Sequence, residues 1–239
     1  MMSNEEMNNQ ALVRGRVLTP PTFSHEVFGE GFFELEVSSQ RLSNQFDVIP
    51  ITISERILEE HKLNVGDDVT FYGQFRSYNK LSQNKSRLLL TLFVREIVEQ
   101  KDENNPNIIS VCGFLCKPCI YRTTPFNREI ADILVAVNRS YNKSDYLPCI
   151  AWGRNARFCK TLAVGDKIAL TGRIQSRKYI KKFDETLVEE KTAYEISISK
   201  FAIGDNVEKL IDENIEFFKW QNVNPLKEYD DGVNAIHSE

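Results

Sequence analysis

This 239-residue sequence lacks the features that would place it in or beyond a membrane. No apolar run approaches the roughly 18–20 residues that a membrane-spanning helix needs. The opening segment, Met1–Gln10, is polar and has neither the basic flank nor the apolar stretch of a secretion signal. Five cysteines are an odd number, which argues against a disulfide framework. We therefore expect a cytoplasmic protein with reduced thiols and no membrane contact.

Signatures of catalysis and of metal binding are also missing. The three histidines share no motif, and the phosphate-binding pattern Gly-x-x-x-x-Gly-Lys-Ser/Thr is absent. Cys116 and Cys119 have the two-residue gap of a zinc knuckle, which leaves zinc as a minor alternative. A structural zinc site needs four ligands, however, and the chain has no second pair of this kind. The sequence therefore predicts neither an enzyme nor a metal or cofactor site.

Charge is distributed very unevenly along the chain, although the formal net charge is only −4. Residues 1–104 contain 11 Lys and Arg against 16 Asp and Glu, which gives −5. Residues 105–204 contain 16 against 9, which gives +7, and residues 205–239 contain 3 against 9, which gives −6. A polyanion is attracted to such a basic middle block and repelled by its acidic flanks. The alternative is chance clustering of solvated charge.

An internal repeat determines the predicted domain organisation. The segment 13–15 recurs at 111–113, a shift of 98 positions, and 65–67 recurs as Val-Gly-Asp at 164–166, a shift of 99. The match extends over more than 60 residues, so we interpret the chain as a tandem duplication. The predicted units are residues 10–100 and 106–204, separated by a polar stretch that ends on Pro106.

Both units are predicted to be β-rich. Runs suited to strands are 32–37, 48–53, 68–75 and 88–97 in the first unit, and 131–137, 147–152, 167–175 and 192–203 in the second. Short helices are predicted at 55–61 and 155–162, and charged hairpin loops at 79–87 and 180–191. A further strand around Gly15 or Gly113 begins each unit. Three strands, a helix and two strands then match the five-stranded Greek-key barrel called the OB-fold. The predicted fold is therefore all-β, with two tandem OB-fold barrels.

The last segment, residues 205–239, has a different pattern. Val207, Leu210, Ile215 and Phe218 recur at helical spacing among acidic residues, which predicts an amphipathic helix over 205–220. The remaining residues are polar. We expect an acidic C-terminal helix and tail that pack on the barrels, bind a partner or compete with a polyanion for the basic block.

Four segments of the second unit agree in order and spacing with one known family. They are 137–141, 145–153, 164–168 and 171–179, which include Asn-Arg-Ser-Tyr and Leu-Pro-Cys-Ile-Ala-Trp-Gly. With these segments, residues 108–203 resemble the bacterial single-stranded-DNA-binding protein (SSB) family. The first unit resembles the family mainly through its match to the second, and it is more similar to degenerate, primosomal relatives.

The resemblance implies that aromatic rings on the barrel surface stack on bases while basic side chains follow the phosphates. The rings that it implies are Tyr141, Tyr146, Trp152 and Tyr179. Basic side chains in or near the matching segments are Arg139, Arg154, Arg173, Arg177, Lys178, Lys181 and Lys182. A flat ring covers any base at about 1–3 kcal/mol, and phosphate contacts make binding salt-dependent. Alternatively, Tyr146 and Trp152 belong to the core, and the lysines to a solvated loop.

The first unit lacks most of these aromatic residues. In the alignment of the two repeats, the positions of Tyr141, Tyr146 and Trp152 are occupied in the first unit by Ser43, Val48 and Ser54. Only Tyr78 lies close to the position equivalent to Tyr179. We expect the second unit to bind the DNA, and the first unit to pack against the second and orient it.

The function expected from the resemblance is sequence-tolerant single-stranded DNA binding in replication, recombination or repair. The alternative is an assembly adaptor, similar to primosomal proteins, that acts mainly through protein contacts, and RNA is an alternative ligand. Expected partners are single-stranded DNA and replication or repair proteins, although the end of the chain, 235–239, lacks the apolar, aromatic tip of the family's tails. The family's use of four barrels per assembly implies a homodimer, with a monomeric pseudo-dimer as the alternative.

Overall fold

A computed structural model describes residues 8–82, 85–99, 101, 104, 106–140, 142–182 and 188–223. The elements of the first half are β1 (Asn9–Val17), β2 (Thr22–Val27), β3 (Glu30–Gln40), β4 (Phe46–Ser54), α1 (Glu55–Glu60), β5 (Asp68–Ser82) and β6 (Lys85–Ile97). Those of the second half are β7 (Asn107–Leu115), β8 (Ile120–Thr123), β9 (Glu129–Arg139), β10 (Lys143–Trp152), α2 (Arg154–Cys159), β11 (Lys167–Lys182), β12 (Val188–Ile203) and α3 (Asn206–Trp220). The predicted strand-rich fold with a C-terminal helix is confirmed.

Each half closes into a barrel through the same strand pairings. β1 pairs with β5 and with β3, and β4 pairs in parallel with β6 where Ile51 lies opposite Leu92. In the second barrel β7 pairs with β11 and β9, and β10 pairs in parallel with β12 where Cys149 lies opposite Ile196. These four residues belong to the buried core that fills the barrels. The predicted pair of tandem OB-fold barrels is confirmed.

A glycine bends β5 in the first barrel and β11 in the second barrel at equivalent positions. Gly73 in β5 and Gly172 in β11 lie at register shifts of the hairpins with β6 and β12. A Cβ at either position would collide with the carbonyl oxygen of the facing strand, from Phe93 or Ser197. A bulged strand permits the sharp bend that a small barrel needs, and only glycine fits there.

Each barrel contains one more strand than the periodicity predicted, β2 in the first and β8 in the second. The side chains of β2 are mostly exposed, so that strand has no alternation of apolar and polar residues. Its hairpin with β3 turns at Phe28 and Gly29, which have φ angles of 51° and 82°. Two successive positive φ values are typical of the type I′ turn that joins hairpin strands.

The loops predicted at 79–87 and 180–191 were too long, because the flanking strands continue into both segments. β5 reaches Ser82 and β6 begins at Lys85, whereas β11 reaches Lys182 and β12 begins at Val188. The two hairpins form long arms. Residues 177–180 of the second arm are all exposed, so their strand pairing leaves no apolar pattern in the sequence.

The first strands of the two barrels, β1 and β7, pair antiparallel and join the barrels edge to edge. Their register runs from Asn9 opposite Val111 to Val13 opposite Asn107. Asn9 is equivalent to Asn107 in the repeat, and Val13 to Val111, so the pairing has approximate two-fold symmetry. The twelve strands of the described residues thereby form one continuous sheet. The chain is folded as a dimer of barrels within one polypeptide.

Two equivalent aspartates reinforce this junction by reaching into the opposite barrel. Asp47 of the first barrel accepts a hydrogen bond from the backbone N–H of Ser176, and Asp145 of the second accepts one from Ser77, both at 2.7 Å. The hydroxyls of the same serines accept from the N–H of the residue that follows each aspartate, at 3.0 and 2.7 Å. Both carboxylates are almost completely buried.

Arginines compensate the charge of the two buried carboxylates. Arg41 and Arg173 both contact Asp47. Arg173 belongs to the second barrel, and its guanidinium nitrogen lies 3.1 Å from a carboxylate oxygen of Asp47. Arg139 lies 3.5 Å from Asp145. Desolvation raises the pKa of Asp145 above its ordinary value, and the charge of Arg139 opposes part of that shift.

The helix α3 packs its apolar face on the outer surface of the sheet and contacts both barrels. Phe218 is buried beside Leu12 of β1, and its ring centroid lies 6.0 Å from that of Tyr72 in β5. Leu210 packs with Ala169 of β11. The predicted amphipathic helix is thus present and docked. Among the described residues, no helix has the length and apolarity to span a bilayer.

Polar contacts also hold α3 on the second barrel. Buried Asn214 donates to the hydroxyl of Ser110 at 2.8 Å and accepts from Thr171 at 3.0 Å, which fixes the helix across β7 and β11. Glu208 forms an ion pair with Lys167 at 2.8 Å. Part of the acidic C-terminal charge is therefore bound to basic residues of the second barrel.

Replacing Asp47 by alanine should strongly destabilise the protein, because it removes the one carboxylate that Arg41, Arg173 and the N–H of Ser176 all contact. Removal of one partner from a buried ion pair costs about 3–5 kcal/mol. Urea unfolding of Asp47→Ala measures this loss. The matched control is Asp132→Ala.

Asp132 pairs with Arg122 at 2.9 Å in an exposed position, where an ion pair contributes only about 0–1 kcal/mol. Equal losses for the two variants would contradict the role assigned to the junction.

Candidate nucleic-acid interface

Strand β10 presents two aromatic rings on the outside of the second barrel. Leu147, Cys149 and Ala151 alternate inward and are buried, whereas Tyr146 and Trp152 point outward and are 45% and 39% exposed. The core interpretation of these two rings is therefore excluded. An exposed ring on a barrel surface can stack on a base with little sequence preference.

Trp152 is held in place at the end of β10. Its indole N–H donates to the hydroxyl of Ser197 at 3.1 Å, and Ser197 lies on β12 opposite Arg173 of β11. The chain then turns at Gly153, whose φ is 52°, and Arg154 begins α2 in an exposed position. A fixed ring next to an exposed cation is the combination that single-stranded nucleic acid requires.

The tyrosines of the two hairpin arms lie on a groove between the barrels. Tyr179 is 37% exposed, and the guanidinium carbon of Arg177 lies 5.9 Å from its ring centroid. Tyr78 is 41% exposed and donates from its hydroxyl to Glu34 at 3.4 Å. The structure thus brings together the two tyrosines that the sequence placed near equivalent positions.

Two of the predicted phosphate-binding arginines contact protein carboxylates at the junction instead. Arg139 pairs with Asp145, and Arg173 pairs with Asp47 across the barrels. Desolvation lowers the pKa of Arg173, and the nearby charge of Arg41 lowers it further. These arginines orient the barrels in this structure.

Three other predicted basic side chains remain exposed. Lys178 lies 2.8 Å from Glu190 in an ion pair at the protein surface, whereas Arg177 lies 3.7 Å from Glu195, which is buried. An exposed pair is worth about 0–1 kcal/mol, so a phosphate can replace Glu190 as the partner of Lys178. Arg154 is exposed beside Trp152, and it has no ion pair with any other residue that the structure describes.

Some predicted contacts fall outside the described residues. Tyr141 is one of them. Lys181 and Lys182 belong to the backbone of β11, but their side chains are likewise outside the description.

The first barrel has an aromatic cluster that the sequence comparison missed. Phe93 of β6 stands in the place of Ser197, the partner of Trp152, and the guanidinium of Arg76 covers its ring at 3.9 Å. The ring of Phe32 lies 5.6 Å from that of Phe93, and His25 stacks on Phe32 at 5.2 Å. A cation of the protein itself therefore occupies one face of the ring.

The equivalence of Phe93 and Ser197 was hidden by the lengths of the arms. Gly73 lies opposite Val94, and Gly172 lies opposite Ile198, so the closing strands match with a shift of 104 rather than 98 or 99. An alignment of the two repeats with a shift of 104 after the arms would have placed Phe93 at the position of Ser197.

The cysteines are free thiols, and burial suppresses their ionisation. Cys112, Cys149 and Cys159 are buried, and desolvation raises the pKa of Cys159 to about 12. Desolvation also raises the pKa values of Cys116 and Cys119. Zinc binds thiolates, which these environments disfavour. In the described part of the chain, no three His, Cys, Asp or Glu side chains are grouped as metal ligands would be.

The fold and this surface define the class of the protein, a tandem OB-fold protein with exposed aromatic rings on its second barrel. Residues 106–203 match the Single-strand binding protein family. This match covers the second barrel.

The chain is similar to several known proteins. Single-stranded DNA-binding protein 3 of Streptococcus agalactiae serotype V is 32% identical over 80 residues, 30% of this chain and 58% of that protein. The chain thus spans less than two thirds of this relative's length. Wild-type single-stranded DNA binding protein from Thermus aquaticus is 17% identical, with a TM-score of 0.62 over 82% of this chain and 92% of its own, which shows the shared fold. The N-terminal domain of PriB protein from Thermoanaerobacter tencongensis, a dimeric structure, is 45% identical over 37% of this chain and 92% of its own, with a TM-score of 0.33.

Replacing Arg154 or Arg173 by alanine should separate phosphate contact from barrel packing. Arg154→Ala should weaken oligo-dT binding and reduce the slope of log affinity against log salt by about 1, because one phosphate contact is lost. Arg173→Ala should mainly lower stability, because Asp47 loses one of its two arginines. Titrations at several salt concentrations and urea unfolding of both variants measure these effects. The opposite assignment of effects would contradict this division of roles.

Proposed function

We propose that this protein binds single-stranded DNA with little sequence preference, chiefly through the barrel in residues 106–204. The observation that carries the proposal is the pair of exposed rings, Tyr146 and Trp152, on the outer side of β10. Exposed Arg154 and Arg177 provide cations for phosphates near this surface. Relatives named single-stranded DNA-binding proteins support the same ligand and favour it over an adaptor function.

The proposed role of the first barrel, residues 10–100, is to hold and orient the second. Its counterparts of the stacking rings are Ser43, Val48 and Ser54. Phe93, which stands near the place of Trp152, already has Arg76 over its ring. Its acidic segment also repels a phosphate chain, whereas the net charge of +7 over residues 105–204 attracts one.

The proposed biological setting is DNA replication, recombination or repair in the cytoplasm, without catalysis by this chain and without a cofactor. Single-stranded DNA in these processes needs protection without regard to sequence, which suits stacking by rings rather than reading of base edges. Replication or repair proteins are the proposed protein partners. Glu208 and Glu213 of α3 pair with Lys167 and Lys200 of the second barrel, so these carboxylates hold the helix on that barrel.

The proposed assembly is a homodimer with four barrels, as the family resemblance implies. α3 covers the outer sheet surface around Leu12, Tyr72 and Ala169, so the contact between chains must use another surface. Light scattering should give twice the chain mass of 27.6 kDa, with and without oligo-dT. A mass of one chain in both conditions would contradict the homodimer and establish a monomeric pseudo-dimer.

Alanine replacement of the two rings tests the DNA-binding proposal. Tyr146→Ala and Trp152→Ala should each cost about 1–3 kcal/mol of oligo-dT binding free energy, because each removes one stacking surface. Anisotropy of labelled oligo-dT measures the affinity. Trp220→Ala is the matched control, since Trp220 is also exposed but lies on α3. Full affinity in the double variant with an intact fold would rule out the proposed surface.

Tryptophan emission provides a second readout because the chain has only two tryptophans. In Trp220→Phe, oligo-dT should quench the emission of Trp152, and added salt should weaken the effect. In Trp152→Phe, the emission of Trp220 should change little. Quenching confined to Trp220 would locate binding elsewhere.

A further inference from the structure

A groove of about 680 Å³ lies between the two barrels. Equivalent positions of the repeat line it from both sides, Pro50 facing the groove with Pro148, and Leu90 with Tyr194. The groove therefore lies about the approximate two-fold axis that relates the barrels. Its volume is within the range of sites that hold small organic molecules.

The walls of this groove suit a flat aromatic ligand. Leu88, Leu89 and Pro148 supply apolar surface, and Tyr78 and Tyr179 supply two partly exposed rings. Base-sized ligands gain most from such surfaces, because each ring of the protein can cover one face of a base.

The polar groups of the groove suit a base rather than a phosphate. Glu34 and Glu36 line one wall, and neither lysine nor arginine is among the described residues that line the groove. Carboxylates repel phosphates, but they accept hydrogen bonds from exocyclic amino groups such as N4 of cytosine. Tyr78 already donates to Glu34, which shows that this carboxylate accepts at the groove wall. Desolvation raises the pKa of Tyr78 to about 12, with Glu34 adding to the shift, so its hydroxyl stays protonated.

The groove lies next to basic residues of the second arm. Tyr179 lines the groove, while its neighbours in sequence Arg177 and Lys178 are exposed cations that do not line it. A strand whose phosphates contact these two residues can therefore place a base beside Tyr179. Tyr78 of the first barrel lines the same groove from the opposite arm.

We propose that this groove binds unstacked bases of single-stranded DNA between Tyr78 and Tyr179, and that Glu34 and Glu36 favour bases with an exocyclic amino group. The inference rests on the proposed function and adds a base-selective site at the barrel junction. It gives the first barrel a contact with DNA through Tyr78, separate from the surface of Trp152.

The test compares oligo-dC with oligo-dT, because cytosine offers an amino group where thymine has a carbonyl oxygen. Anisotropy titrations are made with wild type, Tyr78→Ala, Tyr78→Phe and Glu36→Gln. The measured quantity is the ratio of the two affinities, in which any general gain from removing a negative charge cancels.

Tyr78→Ala should lower oligo-dC affinity about fivefold or more and oligo-dT affinity less, while Tyr78→Phe, which keeps the ring, should stay close to wild type. Glu36→Gln should reduce the preference for oligo-dC relative to oligo-dT. The control Trp152→Ala should weaken the binding of both oligonucleotides without changing the ratio of the two affinities.

An unchanged ratio in both Tyr78→Ala and Glu36→Gln, with Trp152→Ala still reducing affinity, would overturn the groove site and leave the proposed function intact. Failure of the wild-type protein to bind either oligonucleotide would overturn the proposed function and this inference together.

Discussion

The structure depends on the junction at which each barrel inserts a buried aspartate into the other. Asp47 and Asp145 receive the same backbone hydrogen bond from Ser176 and Ser77, so the two contacts are related by the two-fold symmetry of the β1–β7 pairing. A buried carboxylate is costly unless it is paired and hydrogen-bonded, so these contacts with the opposite barrel favour one angle between the barrels. The groove between the arms and the placement of α3 across both barrels follow from that angle.

The sequence predicted the barrels, the duplication and the final helix, because all three leave periodic or repeated patterns. It did not predict β2, whose exposed side chains have no period, or the strand-paired arms. Arg173 looked like a phosphate contact because charge alone does not say which carboxylate lies nearby, and Asp47 comes from 126 residues away. Tyr146 and Trp152 were identified from the family resemblance, and only the structure distinguished exposed rings from core residues.

The duplicated barrels have diverged in their surfaces while keeping their frame. On the second barrel Ser197 leaves room for Trp152 and holds its indole, whereas the first barrel fills the matching place with Phe93 and covers it with Arg76. At these equivalent places, the second barrel therefore has an exposed ring and the first barrel has a covered one. The groove on the approximate two-fold axis is a product of both barrels, since each contributes one tyrosine. This arrangement allows the second barrel to bind DNA while the first barrel helps to shape the path of the DNA strand.

Photocrosslinking tests the location of the DNA path most directly. Oligo-dT containing 5-iodouracil is irradiated in complex with the protein, and the crosslinked peptides are identified by mass spectrometry. The predicted crosslinks fall on Tyr146 and Trp152 of β10, because we propose that bases stack on their exposed rings. Crosslinks confined to the first barrel, residues 9–97, would contradict the assignment of binding to the second barrel.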